Sequence, residues 1–274
     1  MSVALRAAAS PREACRHIAR RDARLIAGGT LVMNEINNRE TVTASLVDLA
    51  SLRLRSIKIA NSRVTLGAMT SMADIAAHPK LKFLKPVVTA IGGPAVRNMA
   101  TVGGNLHAEA PYGDLGVALL ALDARVTLET ARQRKTMRLE DFYAQHRKLG
   151  AYLVTAVNFA LPGANRFFFT KAIRRKPVSA SVVAVAAHLP RKGKRLAGPR
   201  IALGAMAPHP IRAKAAETAL DGKALDETTI AAAASAATEG SAPASDPYAS
   251  AWYRREIAPV YLARLLAQAA GQKS

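Results

Sequence analysis

Apolar residues recur along this chain with two different periods, and the changes between them outline the secondary structure. Ala14, Ile18 and Ala19 follow the helical period, with Ser10 as an N-cap and Pro11 in the first turn. The same period predicts helices over 11–21, 31–37, 72–77 with Ser71 as the cap, 81–91 despite Pro86, and from Asp114 as an N-cap.

Alternation of apolar and polar residues predicts the strands. The strands are expected over 24–27, 45–49, 57–59, 63–66, 124–130, 135–139 and 152–161. The strands 57–59 and 63–66 flank an Asn61-Ser62 turn and should form a hairpin, and 124–130 should pair with 135–139 across a basic turn.

Composition shifts after Pro162-Gly163, where we place a domain boundary. Three further strands, 166–173, 181–189 and 200–206, indicate an antiparallel meander because an RKGK turn separates the last two. Helices over 213–220, 226–237 and 249–268 follow. Strands followed by helices predict an α+β fold whose second part is a small antiparallel sheet with a helical layer on one face.

Two glycine-rich junctions are the strongest local signals. The first, LIAGGTLVMNEIN from Leu25 to Asn37, runs from a strand through Gly28-Gly29 into a helix. The second lies between Ile91 and Asp114 and contains Gly92-Gly93 and Gly103-Gly104. A glycine pair permits positive φ and close approach of a bound group, and bare amides in such a bend hold phosphate. Two such bends predict a ligand with two phosphates, a dinucleotide, with Asp114 free to accept hydrogen bonds from hydroxyls.

Length and composition fit a globular protein. The 274 residues can fill one large or two ordinary domains, and no apolar stretch approaches the ~20 residues that span a bilayer. Polar residues interrupt the amino-terminal apolar run, so we expect no signal peptide. The single cysteine, Cys15, excludes an internal disulfide and a cysteine-ligated iron-sulfur cluster in this chain. We therefore expect a cytoplasmic protein.

A net charge of +20 is compatible with nucleic-acid binding. The basic residues are nevertheless scattered, and the few aromatic residues do not alternate with them as a stacking platform requires. No standard DNA- or RNA-reading motif is present. Docking on acidic partner subunits is the better interpretation of the charge, and we expect no nucleic-acid partner.

The chain lacks a recognisable catalytic constellation. Its six histidines fall in no metal or nucleophile motif, and His107, just after TVGGN, is expected to face solvent or pack against the loop. We predict no catalytic residues and no metal ligands, so the chemistry must come from a bound cofactor.

The segments AGGT, RNMATVGGNL and PYGD, together with the terminal DPYASAWYRREIAPVYLARLL, carry a family resemblance. They resemble the flavin-binding (medium) subunit of the molybdenum hydroxylases, the xanthine dehydrogenase and carbon monoxide dehydrogenase family. The resemblance implies a PCMH-type FAD-binding domain over 1–163, with subdomains about 1–55 and 56–163. A C-terminal domain of the CO dehydrogenase flavoprotein type over 164–274 would follow.

The resemblance also implies a set of FAD-binding residues. The segments matching 25–32 and 101–105 would wrap the pyrophosphate and adenosine, and Asp114 would contact the cofactor. Leu153 would lie beside the flavin, and Lys171 near the reactive end of its ring, where a cation favours the reduced, anionic form. A solvated position for Lys171 on an edge strand is the alternative. The full set is Leu25, Ile26, Ala27, Gly28, Gly29, Thr30, Leu31, Val32, Ile91, Thr101, Val102, Gly103, Gly104, Asn105, Asp114, Leu153 and Lys171.

Three positions depart from the family pattern. Ile91 stands where relatives often carry a residue that stacks on the flavin, and Leu31 follows AGGT where many have aspartate or serine. Ser179 occupies the place of an acid that helps to shape the electron-acceptor site in some relatives. Because Ser179 replaces that acid, the sequence does not determine the electron acceptor, and it does not establish that the acceptor is NAD.

The implied function is that of an FAD-binding electron-transfer subunit. A large subunit would carry molybdopterin and the substrate, a small subunit would carry two [2Fe-2S] clusters, and the assembly would be a dimer of heterotrimers. The alternatives are a flavin-less structural subunit, a stand-alone flavin reductase and, last, a basic nucleic-acid-binding protein.

Overall fold

A computed structural model describes residues 3–20, 22–38 and 43–271. Its first part is a small parallel sheet in the order β1-β3-β2. The elements are β1 (Ala4–Ala7), α1 (Pro11–His17), β2 (Ala23–Ile26), α2 (Val32–Asn37) and β3 (Ser45–Asp48). Ser10 caps α1 as predicted, its side chain accepting from the Glu13 amide. Helix α1 ends at His17 and not at the predicted Arg21, a residue that lies outside the described ranges. The exposed strand β1 was not predicted.

A five-stranded antiparallel sheet in the order β4-β5-β8-β6-β7 follows. Its strands are β4 (Ile57–Ala60), β5 (Arg63–Gly67), β6 (Arg125–Thr130), β7 (Arg134–Arg138) and β8 (Tyr152–Ala160). Both predicted strand pairs are present, and positive φ at Asn61 and Ser62 gives the first hairpin its tight turn.

Six α-helices surround this sheet. They are α3 (Met72–Ala77), α4 (Lys85–Thr89), α5 (Pro94–Met99), α6 (Val102–Leu106), α7 (Asp114–Ala121) and α8 (Leu139–Gln145). The single helix predicted over 81–91 is wrong, because a 3-10 segment, Pro79–Leu84, precedes α4. Pro86 then lies in the first turn of α4, where a missing amide hydrogen costs nothing.

The carboxyl-terminal part is the predicted antiparallel meander, in the order β14-β13-β10-β9. It comprises β9 (Phe167–Ile173), β10 (Ser181–His188), β13 (Arg200–Gly204) and β14 (Ile211–Arg212), with a short β11 (Arg191–Lys192) and β12 (Arg195–Leu196) hairpin at the RKGK turn. The three predicted helices are α9 (Lys214–Leu220), α10 (Glu227–Ser235) and α11 (Ala251–Ala270). The α+β fold class is confirmed.

Helices cover both faces of the carboxyl-terminal sheet: the predicted helical layer lies on one face, and α7 lies on the other. Val183 and Val185 on β10 share a core with Leu262 of α11. Ala184 and Ala186, which point to the opposite face, share a core with α7, all eight residues of which are buried. The helix α7 therefore connects the five-stranded sheet to the carboxyl-terminal sheet through one continuous core.

A third, smaller core fastens the first sheet to the rest of the chain. It contains Cys15 on α1, Val47 on β3 and Leu153 on β8, all of them buried. The Cys15 thiol donates to the carbonyl of Glu129 at 3.1 Å. No helix among the described residues is both long and apolar enough to cross a membrane.

Candidate functional site

The first glycine junction connects β2 to α2. Gly29 has a φ of +70°, a conformation that residues with a Cβ rarely adopt. Gly28 is needed for a different reason: a Cβ there would lie 1.6 Å from the carbonyl oxygen of Met99. Only glycine allows this approach, so the first junction packs directly on the end of α5, two residues before Thr101.

The backbone amides of this junction have no acceptor among the residues that the structure describes. Within the described part of the chain, none of the amides from Gly28 to Val32 donates a hydrogen bond, whereas Met33 donates to Gly29 and Glu35 to Leu31. Consecutive free amides in a glycine bend form a concave donor surface for an anion. The residues present therefore fit the diphosphate of a dinucleotide.

The second glycine pair, Gly103-Gly104, has a different conformation from the one predicted. It lies inside α6, with Thr101 as the N-cap, and neither glycine has positive φ. The predicted bend of bare amides is therefore wrong at this position.

The amides of this segment are already paired. Val102 donates to Thr70 O at 2.9 Å, Gly103 to Ala68 O at 2.8 Å and Asn105 to Thr101 O at 2.9 Å. The Gly104 amide donates to the Thr101 hydroxyl at 3.2 Å. The glycines serve close packing instead, since a Cβ at Gly103 would lie 3.2 Å from that of Ala68.

Two side chains hold α6 in place. The amide oxygen of Asn105 accepts from the Gly116 amide at 3.2 Å and so ties α6 to α7. His107 donates from Nδ1 to Gly103 O at 2.8 Å, and its Nε2 lies 3.1 Å from the Tyr152 hydroxyl. His107 thus packs against the loop, as the sequence indicated.

Asp114 and Lys171 form a buried ion pair. Lys171 Nζ lies 2.6 Å from Asp114 Oδ2, the two side chains are 8% and 5% exposed, and Ser181 Oγ donates to Asp114 Oδ1 at 2.7 Å. The alternative of a solvated Lys171 is therefore wrong. Asp114 is also not an N-cap: Gly113, at φ 91°, occupies that position, and the carboxylate of Asp114 points to β9 and β10 instead.

The ion pair extends to the loop around Ile91. Lys171 Nζ donates to the carbonyl of Ala90 at 3.1 Å, next to the half-buried Ile91. Arg97 on α5 donates to the carbonyls of Gly92 and Ile91, which holds this loop beside the ion pair. The structure therefore brings Ile91, Asp114 and Lys171 together, and it adds Ala90 and Ser181, which no local sequence signal marked.

The remaining predicted positions lie deeper. Val102 is fully buried, and Thr101 and Leu153 are 5% and 3% exposed. Leu153 packs in the core that contains Cys15, while Thr30 is exposed at the end of the first junction. The first junction packs on Met99, which lies two residues before the N-cap of α6. Leu153 shares a core with Leu25 and Ala27, the residues that lead into the first junction.

Comparison with known proteins agrees with this arrangement. Residues 2–159 match the FAD binding domain in molybdopterin dehydrogenase, and residues 168–269 match the CO dehydrogenase flavoprotein C-terminal domain. The chain is 30% identical to the 6-hydroxypseudooxynicotine dehydrogenase complex subunit alpha of Paenarthrobacter nicotinovorans over 90% of this chain and 87% of that one. It is 29% identical to the carbon monoxide dehydrogenase medium chain of Afipia carboxidovorans, over 90% and 89%.

A solved structure gives the same result. Carbon monoxide dehydrogenase from Hydrogenophaga pseudoflava, in a form that lacks the Mo-pyranopterin moiety of its molybdenum cofactor, superposes with a TM-score of 0.91 at 26% identity. The superposition covers 100% of this chain and 99% of that one. The family matches span almost the whole chain, and the free amides of the first junction fit the cofactor that the family binds. The chain therefore belongs to the FAD-binding medium subunits of the molybdenum hydroxylases.

Proposed function

We propose that this subunit receives electrons from the [2Fe-2S] clusters of a small partner subunit and passes them through FAD to an acceptor. The substrate would be oxidised at the molybdopterin centre of a large partner subunit. The observation that carries the proposal is the row of free amides from Gly28 to Val32, packed on Met99 beside Thr101. FAD, when bound, supplies the capacity to take up and release electrons.

The first junction binds the diphosphate in this proposal. Its free amides offer several donors at no cost in broken protein hydrogen bonds, and the +70° φ of Gly29 sets their direction. The amides of α6 are already used, so its contribution comes from the Thr101 hydroxyl. That hydroxyl accepts from Gly104 but still has its own hydrogen to donate.

The Asp114–Lys171 pair orients the ring end of the cofactor in this proposal. Each carboxylate oxygen of Asp114 accepts one hydrogen bond, from Lys171 or from Ser181, and retains a lone pair for a further donor. The carboxylate of Asp114, 2.6 Å away, compensates the charge of Lys171, so the pair presents a dipole and not a net positive charge. Its effect on the reduction potential is therefore smaller than that of an unpaired lysine.

Cofactor binding can be tested on the purified chain. We expect a yellow protein that releases FAD in a one-to-one ratio on denaturation. The double change Asp114→Leu with Lys171→Met removes both charges together and so avoids leaving one buried charge unpaired. If the pair orients the flavin, this variant stays folded but its flavin absorbance band and potential shift. An unchanged spectrum and potential would limit the pair to a structural role.

Partner assignment has its own test. A tagged chain expressed with its neighbouring genes should isolate with two other chains and with molybdenum, iron and FAD in fixed ratio. A chain that isolates alone and turns over a nicotinamide would instead be a flavin reductase. A complex without flavin would make this chain a structural subunit.

A further inference from the structure

Aromatic side chains cluster at the amino-terminal end of α11. Three of the six tyrosines, Tyr248, Tyr253 and Tyr261, and the only tryptophan, Trp252, line an open cavity of about 510 Å³. Trp252 is 68% exposed and Tyr253 43% exposed. Ligand cavities commonly have volumes of roughly 300–1,000 Å³, so this one could hold a molecule of two fused rings.

The cavity carries one sign of charge. Arg174 is the only charged residue among those that line it. Its guanidinium donates to the carbonyl of Pro247 at 3.0 Å, and no carboxylate in the described residues pairs with it. The acid nearby in sequence, Asp246, is bonded to Arg254 at 2.5 Å. Arg174 is thus an exposed cation among the residues that line the cavity, with no carboxylate partner among the described residues.

Hydrogen bonds hold the backbone beside the cavity and one of its aromatic side chains in place. Arg254, 1% exposed, donates to Val182 O at 2.7 Å and to Asp246, which locks α11 and the segment before it onto β10. The Tyr248 hydroxyl lies 3.2 Å from that of Tyr112. This part of the wall therefore loses little conformational entropy when a ligand binds.

The cavity lies on the opposite face of β9 from the Asp114–Lys171 pair. Lys171 reaches Asp114 on α7, whereas the next residue, Ala172, lines the cavity and shares the core of α11. Neighbouring residues on a strand point to opposite faces. Ala172 and Arg174 thus place the cavity on the other face of β9 from the proposed flavin position, and Ile173, the last residue of the strand, completes its edge.

We propose that this cavity binds a planar aromatic anion, a two-ring compound with a carboxylate or sulfonate group. The ring stacks against Trp252 and Tyr253, and the anionic group pairs with Arg174. The proposal does not depend on flavin binding.

Calorimetric titration of the full-length chain with naphthalene-2-sulfonate tests the proposal, with tryptophan fluorescence as a second readout because Trp252 is the only tryptophan. We expect saturable binding with a change in Trp252 emission. Naphthalene-2-sulfonamide, which keeps the rings without the charge, and hexane-1-sulfonate, which keeps the charge without the rings, should each bind about tenfold more weakly or not at all.

Matched variants separate a built site from general charge attraction. Arg174→Gln should weaken sulfonate binding about tenfold and leave the sulfonamide unchanged, whereas Arg175→Gln, an exposed neighbour that does not line the cavity, should have little effect. Trp252→Ala should weaken both ring compounds about fivefold. Equal losses for the two arginine variants, or equal affinity for sulfonate and sulfonamide, would overturn the proposal.

Acrylamide quenching gives a final check on the assembled enzyme. If Trp252 stays accessible in the complex with its partner subunits, the cavity is open to a small molecule there. If the partners shield Trp252 and abolish sulfonate binding, the surface is a subunit interface and the proposal is wrong.

Discussion

Two of the diglycine segments of this subunit, Gly28-Gly29 and Gly103-Gly104, look alike in sequence but differ in their hydrogen bonding. In Gly28-Gly29 the amides have no acceptor within the described residues, and one glycine has positive φ. In Gly103-Gly104 both amides have protein acceptors, and the glycines are helical. A glycine pair therefore indicates close approach in both places, but only the first leaves a donor surface for an anion.

The difference comes from the neighbours of each segment. The carbonyls of Ala68 and Thr70, in the connection between β5 and α3, accept from α6, and Thr101 supplies a cap. The loop after β2 packs on the Met99 carbonyl at Gly28, and no carbonyl among the described residues accepts from the amides of Gly28 to Val32.

Gly28→Ala should have the largest effect. Its Cβ would lie 1.6 Å from Met99 O, so the backbone of the junction must move. We expect loss of bound FAD and a fall of about 3 kcal/mol in the free energy of unfolding, the upper part of the range for overpacking. Gly93→Ala is the matched control, since nothing lies within 4 Å of its Cβ position. Flavin content and denaturant titration measure both, and a flavin-replete Gly28→Ala would contradict the assignment.

Gly103→Ala should affect stability more than cofactor binding. The added methyl would be 3.2 Å from the Ala68 Cβ, which we expect to cost about 1 kcal/mol. FAD content should be retained because the Gly103 amide is already bonded to Ala68. Loss of FAD from a folded variant would show that α6 rearranges to bind the cofactor through its amides.

Thr101→Val should lower both stability and FAD affinity. It removes the N-cap of α6, which we expect to cost about 1 kcal/mol, and the hydroxyl hydrogen proposed to face the cofactor. Thr101→Ser keeps both functions and should restore FAD affinity. If the valine variant loses stability with no change in FAD dissociation constant, Thr101 is only a cap.

Cys15 alkylation should show the smallest effect. Burial raises the pKa of the Cys15 thiol from 9.0 to about 11, so the neutral thiol contributes stability that is fully present below about pH 9 and is lost as the pH rises towards 11. Iodoacetamide should therefore label Cys15 slowly at neutral pH, through opening of the first sheet. Bound FAD should slow the labelling further if the first junction clamps that sheet, and a rate independent of FAD would count against the clamp.

Local patterns were enough to predict much of the fold. The junction from β2 to α2, the hairpin at Asn61-Ser62 and the carboxyl-terminal meander follow from alternation and turn residues, which act within a few positions. Strand β1 was missed because it is exposed and pairs only with the distant β3. The helix α6 was missed because its two glycines have low helix propensity, and tertiary bonds to Ala68 and Thr70 outweigh that.

The candidate site was only partly predictable for the same reason. The glycine-rich segment drew attention to Asp114 and the family resemblance to Lys171, but local rules assigned Asp114 to a cap. Its actual partners, Lys171 and Ser181, are 57 and 67 residues away in sequence. A contact over that separation leaves no signature in a single sequence, whereas a cap does.

The complete burial of α7 has a further consequence for how the chain can be divided. One family match ends at residue 159 and the other begins at residue 168, which suggests that the chain could be divided there. The buried helix α7, however, needs a sheet on either side to cover its apolar surface. A fragment that stops between these matches would expose that helix to water and would be prone to aggregate. We therefore expect the flavin-binding half and the meander to fold as one unit, although the sequence matches two separate family models.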